Sequence, residues 1–267
     1  ATIHVEVAKE QPQFRWDAPS KWMSRRIDPS TRYVNEPPSD IVSKIRFSDL
    51  CQLFDEMLKA KPSSRVRLNI FFSKMRAVRG IHGQSWYPVM RLLMPDIDRE
   101  RPRYGIKEAN LAKLYVKALG LDTKSSVQAQ SLIAWNDPSA AQRAENKSVG
   151  SFSQTLRETL DSRGLRASSK GLTVGEVNAL LDKLHEAAST EAREKVVLEF
   201  VDKCNSSENF WLARIILKNM HIGVTHDAII AEFHPDGPDA MEATGNLRQV
   251  MAELHDPTKR RAFAVRL

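Results

Sequence analysis

A chain of 267 residues that is 42% hydrophobic and 27% charged can bury a substantial core without staples, as one large domain or two small ones. It holds no apolar run long enough to cross a membrane, and its first residues lack the apolar core of a signal peptide. The net charge of +7 and isoelectric point near 9.4 favour a polyanionic partner through Coulomb attraction and counterion release, without choosing among such partners.

Residues 1–40 carry six Lys or Arg against six Asp or Glu, so the basic excess lies in 41–267. Prolines at 12, 19, 29, 37 and 38 interrupt any helix there, while Phe14, Trp16, Trp22 and Tyr33 are too apolar for a purely solvating tail. The expectation is an extended arm over 1–40, followed by one helical domain over 41–267. From Ile41 onward the apolar residues recur at helical spacing. Phe47, Leu50, Leu53, Phe54 and Met57 form the first stripe, ended by Lys61-Pro62. Leu68, Phe71, Phe72, Met75 and Val78 form the second, stopped at Gly80. A short helix over Trp86–Leu93 closes at Pro95, and another over Leu111–Leu119 ends with Gly120 placed for a left-handed cap.

The stretch from Asp122 to Gly150 is polar apart from one apolar island, Leu132–Trp135. Phe152, Leu156 and Leu160 then predict a helix, and 162–171 a loop. Thr173-Val174-Gly175-Glu176 has the form of a capping box, in which the hydroxyl takes an early amide proton and the carboxylate reaches back to the cap amide. Further helices are expected over Val196–Val201, over Phe210–Met220 up to Gly223, from the Thr225 cap to Phe233, and over Leu247–Leu254. Alternating strand patterns with hairpin turns are absent. The fold class is therefore all-α, a domain of about 10–12 short helices.

Catalytic signatures are missing. The chain has no phosphate-binding G-x-x-x-x-G-K-[ST] loop, no G-x-G-x-x-G, no H-E-x-x-H and no G-x-S-x-G. Cys51 and Cys204 are unpaired by spacing and read as buried reduced thiols of a cytosolic or nuclear protein.

Several segments carry a resemblance. Phe47-Ser48-Asp49-Leu50-Cys51, Trp86-Tyr87-Pro88-Val89-Met90-Arg91-Leu92-Leu93-Met94-Pro95, the block from Arg99 to Tyr115, Ser169 to Leu181, Trp211–Lys218 with Ile222-Gly223-Val224, and His234-Pro235-Asp236 occur in order. In that order they resemble the N-terminal DNA-binding domain of eukaryotic ATP-dependent DNA ligases, most like the ligase IV branch. The resemblance spans roughly residues 41–267. Where the family usually carries an acidic G-D-F, this chain has Gly150-Ser151-Phe152.

The resemblance implies an all-helical domain that curls around duplex DNA, meets it in the minor groove through phosphate and sugar, and serves non-homologous end joining in the nucleus. It implies no cofactor in this chain, because the K-x-D-G motif of the adenylated lysine does not occur. The parent ligase would use ATP and Mg2+ elsewhere. An enzyme that closes any broken end gains nothing from reading bases, so affinity should come from backbone charge and groove shape. Three glycine turns ahead of helices, each with a cation, offer close backbone approach and free amides to phosphate. They place the candidate DNA-binding residues at Lys147, Gly150 and Ser151, at Ser169, Lys170 and Gly171, and at Lys218, His221, Gly223 and Thr225. The cluster Arg99, Arg101, Arg103 and Lys107 reads mainly as structural, with Tyr104 and Ile106 in the core. The resemblance also implies a docking surface over Phe47–Val78 for a short aromatic peptide of an Artemis-type nuclease, with Phe71 and Phe72 as candidate partner-binding residues; their spacing equally fits core positions. A helical protein interaction module and an RNA-binding helical domain remain as rival readings.

Overall fold

The computed structural model describes residues 36–79, 84–164, 171–258 and 260. The first 35 residues, and with them nearly all of the expected arm, lie outside it. Among the described residues, fourteen α-helices follow one another: α1 (Asp40–Ser43), α2 (Phe47–Lys59), α3 (Ser64–Arg79), α4 (Tyr87–Leu93), α5 (Glu108–Ala118), α6 (Val127–Ile133), α7 (Pro138–Arg143), α8 (Phe152–Ser162), α9 (Val174–Glu186), α10 (Thr190–Lys203), α11 (Ser206–Ile216), α12 (His226–Phe233), α13 (Gly237–Thr244) and α14 (Leu247–Glu253). Among the described residues, a 3-10 turn spans Pro95–Ile97. No strand occurs among the described residues; an isolated antiparallel bridge joins Arg46 to Thr173. The all-α expectation holds.

The helix number exceeds the expectation because four helices were not located from the sequence, the single turn α1 and three that hide in weakly apolar sequence. The polar stretch 122–150 contains α6 and α7. Ser126 caps the first by accepting from the Ala129 amide, and Asp137 caps the second with Pro138 at its first position. Their buried faces use mostly small residues, Ala129, Ala140 and Ala141, beside Leu132, so no wide hydrophobic stripe announces them. The third, α13, opens at Gly237, whose α-carbon lies so close to Ile230 that a Cβ would sit 2.6 Å from the Ile230 carbonyl oxygen.

Helices pack in pairs, α2 with α3, α5 with α10 and α8 with α11, around one apolar cluster. Each fully buried Leu, Phe or Met side chain of such a stripe contributes about 1.5–3 kcal/mol relative to exposure. Trp211 of α11 is wholly buried, meets Phe54 of α2 edge-on at 5.2 Å, and donates its indole N–H to Asp55 at 3.0 Å. Asp55 also accepts from the Ser207 hydroxyl at 3.0 Å, so one carboxylate fixes α2 against the start of α11. At the opposite side of α11, buried Asn209 accepts from the Tyr115 hydroxyl at 2.9 Å and donates to the Cys204 and Asn205 carbonyls. These polar anchors set the register of a helix whose apolar surface alone permits several.

A second buried network lies beneath the Pro95–Ile97 turn. Asp98 accepts from Arg91 at 2.9 Å, Arg101 at 3.3 Å and the Tyr87 hydroxyl at 2.8 Å. Arg101 is 2% exposed and also donates to Asn178 of α9 at 2.6 Å. Burial raises the Asp98 pKa, but the Arg91 and Arg101 charges outweigh it and hold the carboxyl below its ordinary range. The described chain begins with a similar contact: Glu36 is buried and pairs with Arg248 of α14 at 2.7 Å.

Candidate nucleic-acid interface

The turn between α11 and α12 is wound unusually tightly. Lys218, His221 and Gly223 all take left-handed backbone angles, with φ of 56°, 50° and 68°. Such angles are costly for residues with a Cβ, so the surroundings must hold them. Arg214 donates to the Met220 carbonyl at 2.7 Å. The Lys218 ammonium turns inward to the carbonyls of Pro95, at 2.6 Å, and of Arg101. Arg67 of α3 donates to the Ile222 carbonyl at 2.9 Å. Its guanidinium fills the space above Gly223: a Cβ there would lie 1.7 Å from the nearer nitrogen. His226 closes the far side against Asp96 at 3.0 Å.

All these braces pull on carbonyls and side chains, leaving the amides unengaged. Among the described residues, the backbone N–H groups from Met220 to Asp227 have no acceptor in the protein. The next amide, that of Ala228, is taken by the Thr225 cap at 3.3 Å. His221, Gly223, Thr225 and Asp227 are exposed. Four exposed residues with acceptor-free amides thus lie together at the start of α12, where the helix dipole favours an anion and the Asp227 carboxylate in the first turn opposes one.

The Gly150 corner is built differently. Gly150 has a φ of 82°, and both it and Lys147 are exposed. Glu158 of α8, however, folds back over the turn. It accepts from the amides of Lys147 at 2.9 Å and Ser148 at 3.4 Å, and from the Ser148 hydroxyl at 2.9 Å. The Gly150 amide itself bonds to the Trp135 carbonyl at 3.1 Å. Ser151 caps α8 by position, with no side-chain cap hydrogen bond.

At the third corner, Gly171 is exposed with a φ of 77°. Ser169 and Lys170 lie outside the described residues. The next residues are tied to the start of the domain, with Phe47 donating to the Leu172 carbonyl and Val174 to the Ile45 carbonyl, both at 2.7 Å. The expected capping box is present: Glu176 accepts the Thr173 amide at 2.8 Å while its own amide donates to the Thr173 hydroxyl at 3.2 Å. The backbone bond from Thr173 is the main reason that the Glu176 carboxyl lies below its ordinary pKa.

Other candidate residues point inward. Phe71 and Phe72 are 0% and 1% exposed, packed on each other at 5.1 Å and, for Phe72, on Trp86 at 6.1 Å. Their spacing on α3 turns both toward the core, so neither ring lines a surface groove. Lys218 is half-buried, and burial lowers its pKa; its charge braces the turn from beneath. Of the basic block at 99–107, Arg101 belongs to the Asp98 network, Tyr104 and Ile106 are buried, and Arg103 and Lys107 remain exposed. Sequence reasoning missed Arg67 and Glu158. Nothing in their local pattern marks them, because each acts on a turn made by a different part of the chain.

Comparison with known proteins agrees with this architecture. The family described as DNA ligase N terminus matches residues 46–234. A DNA ligase 4 of Neurospora crassa is 36% identical over 235 residues, covering 79% of this chain and 22% of that protein. A DNA ligase 4 of Coprinopsis cinerea is 32% identical over 247 residues, covering 91% of this chain and 23% of its own length. A DNA ligase 4 of Arabidopsis thaliana is 34% identical over 222 residues, 82% of this chain and 18% of its own. The chain spans about a fifth of the length of these relatives. With a family match across residues 46–234, most of its helices, the chain belongs to the DNA ligase N-terminal family.

Proposed function

We propose that this domain holds duplex DNA without regard to sequence, by phosphate, sugar and minor-groove contacts, on behalf of a double-strand-break ligase of the ligase IV type working in the nucleus. Bond formation, with its ATP and Mg2+, is assigned to other parts of the parent protein. The observation that carries the reading is the row of amides from Met220 to Asp227 without an acceptor in the protein, in a turn whose His221, Gly223, Thr225 and Asp227 are exposed and whose carbonyls are held by Arg67 and Arg214. Amides bind phosphate without distinguishing bases, which suits an enzyme that must accept any end. Burial of Trp86, Trp211 and Tyr115 favours a duplex over a single strand, because stacking on bases needs exposed rings. The aromatic nuclease peptide is not part of this proposal, since the two rings expected to receive it lie in the core.

The test is fluorescence anisotropy with nicked and intact duplexes of unrelated sequence at several salt concentrations. The expected result is similar affinity across sequences, with log affinity falling linearly as log salt rises. The chain alone should not seal the nick with ATP and Mg2+. Failure to bind duplex at low salt, or a preference for single strands, would overturn the proposal.

A further inference from the structure

One side chain ties the α11–α12 turn to a helix far from it in sequence. Arg214 leaves the last turn of α11 half-buried. Its Nη1 donates to the Met220 carbonyl at 2.7 Å, and its Nε donates at 3.3 Å to the hydroxyl of Ser153 in the first turn of α8. The guanidinium lies over two rings of its own helix, 4.4 Å from the centre of Phe210 and 5.3 Å from that of Trp211. Arg157 of α8 stands over the same Phe210 ring at 5.4 Å and pairs with Asp55 of α2 at 3.5 Å. Asp55 also accepts from the Trp211 indole. The turn is thus joined through one guanidinium to the junction of α2, α8 and α11.

These contacts differ from those of a cation placed for its charge. Arg214 forms no ion pair among the described residues. Burial lowers its pKa, and the Asp55 carboxylate opposes that from farther off. Both hydrogen bonds go to neutral acceptors, a hydroxyl on one helix and a carbonyl in the turn. The guanidinium is flat and rigid, so it holds those two acceptors at a fixed separation; lysine has the charge but neither the plane nor the fork. The turn needs such a strut. The Met220 carbonyl belongs to the peptide that enters His221, and both Lys218 and His221 carry a Cβ at a left-handed φ, a conformation that persists only when the surroundings hold it.

We propose that Arg214 is a positioning residue of the DNA-binding turn. It touches no phosphate and acts by geometry, holding the Met220 peptide at a fixed distance from α8 so that the amides following it stay aligned for the DNA backbone. The inference rests on the duplex-binding reading and deepens it. Geometry and charge separate cleanly in experiment, because a lost phosphate contact flattens the salt dependence of binding, while a lost strut weakens binding without releasing fewer counterions.

The experiment follows binding to nicked duplex by anisotropy across salt concentrations for Arg214→Lys and Arg214→Gln, with thermal unfolding to confirm that each chain is folded at the temperature of measurement. Both variants should bind about 10-fold more weakly at ~0.1 M salt, with a log–log slope within about 0.5 of the wild-type value. A lower melting temperature with unchanged affinity of the folded chain would make the role merely structural and overturn the inference. So would the signature of a phosphate contact, in which Arg214→Lys keeps most of the affinity and Arg214→Gln flattens the slope by about 1. The double variant of Arg214→Lys with Gly223→Ala gives a second readout. Gly223→Ala already displaces the turn, so the double variant should bind within about 3-fold of the weaker single variant; losses that multiply to about 100-fold would make the two sites independent and overturn the inference. Should the Arg214 variants fail to fold, Ser153→Ala removes one anchor and keeps the guanidinium. It should weaken binding about 2- to 3-fold at an unchanged slope, and an unchanged affinity would overturn the strut. If the wild-type chain fails to bind duplex at all, the DNA reading itself has failed, a result distinct from these.

Discussion

The Gly223 and Gly150 corners look alike in sequence and differ in what they offer. Each is a glycine turn ahead of a helix with a lysine nearby, and each glycine is left-handed. At Gly150 a carboxylate from the following helix occupies the amides of Lys147 and Ser148. At Gly223 the braces are cations that engage carbonyls, and the amides stay open. The sign of the bracing charge separates the two: a bracing anion consumes donors, and a bracing cation leaves them free. A turn motif therefore predicts backbone shape, while its capacity to bind an anion depends on which side chain arrives from elsewhere.

The largest effect is expected beneath the Gly223 corner. Asp98 keeps Arg101 in place, and the Arg101 carbonyl receives Lys218. Asp98→Ala leaves two buried guanidinium groups with only the half-exposed Asp182 carboxylate, 3.4 Å from each, and should cost about 3 kcal/mol of stability. Acid should act on the same brace. Because the folded-state pKa of Asp98 is depressed, its stabilisation is present above the ordinary carboxylate value of 3.8 and is lost as pH falls through the lower folded value. Chemical denaturation from pH 6 downward should show a decline below about pH 4 that is smaller in Asp98→Asn. An identical acid profile for the two proteins would remove Asp98 from the brace.

Gly223→Ala tests the comparison directly. A Cβ at this position displaces the Arg67 guanidinium and also meets the left-handed φ, whereas a Cβ at Gly150 meets nothing within 4 Å. The backbone term is about 1–2 kcal/mol in both variants, and losing the Arg67 bond to Ile222 adds about 1.5–3 kcal/mol at Gly223 alone. Thermal melts should separate the two by the second amount. Duplex affinity should fall about 10-fold in Gly223→Ala, the equivalent of ~1.4 kcal/mol, and change little in Gly150→Ala. Equal affinities in the two variants would end the functional distinction between the corners.

Opening the closed corner is the converse experiment, with a smaller effect. Glu158→Gln keeps the side-chain length but removes a negative charge from the Lys147–Ser148 turn and weakens its hold on the amides. Duplex affinity should rise about 2- to 5-fold, with a slightly steeper salt slope. A fall in affinity would mean that Glu158 shapes the binding turn by ordering it.

The parts of this molecule that were readable from the chain are those whose cause is local. Apolar stripes such as Phe47 to Met57, the Thr173 capping box and the glycine stops follow from spacing within one or two turns. Gly120, placed by the end of its stripe for a left-handed cap, takes a φ of 63° for the same reason. Arg67 acts on a carbonyl 155 residues away, and neither α3 nor the turn records that meeting. Lys218 shows the reverse error of scale: a cation beside a glycine turn suggests phosphate, yet carbonyls at Pro95 and Arg101 claim its ammonium. The helices α6 and α7 escaped because alanines can pack a helix without producing a hydrophobic stripe.

The smallest effect concerns the third corner, where the cap and the glycine can be separated. Glu176 and Thr173 satisfy each other's backbone groups at the start of α9, just after Gly171. Thr173→Ala removes one cap acceptor and should cost about 1 kcal/mol. The loss should be local to α9, because the bonds that hold this segment to the start of the domain run through the Leu172 carbonyl and the Val174 amide, which the substitution leaves intact. Hydrogen exchange should therefore quicken in the first turn of α9 while the amide of Phe47 keeps its protection. If Phe47 loses protection as well, the cap also sustains the Arg46–Thr173 bridge, and the Gly171 corner is held by its helix more than by the chain it touches.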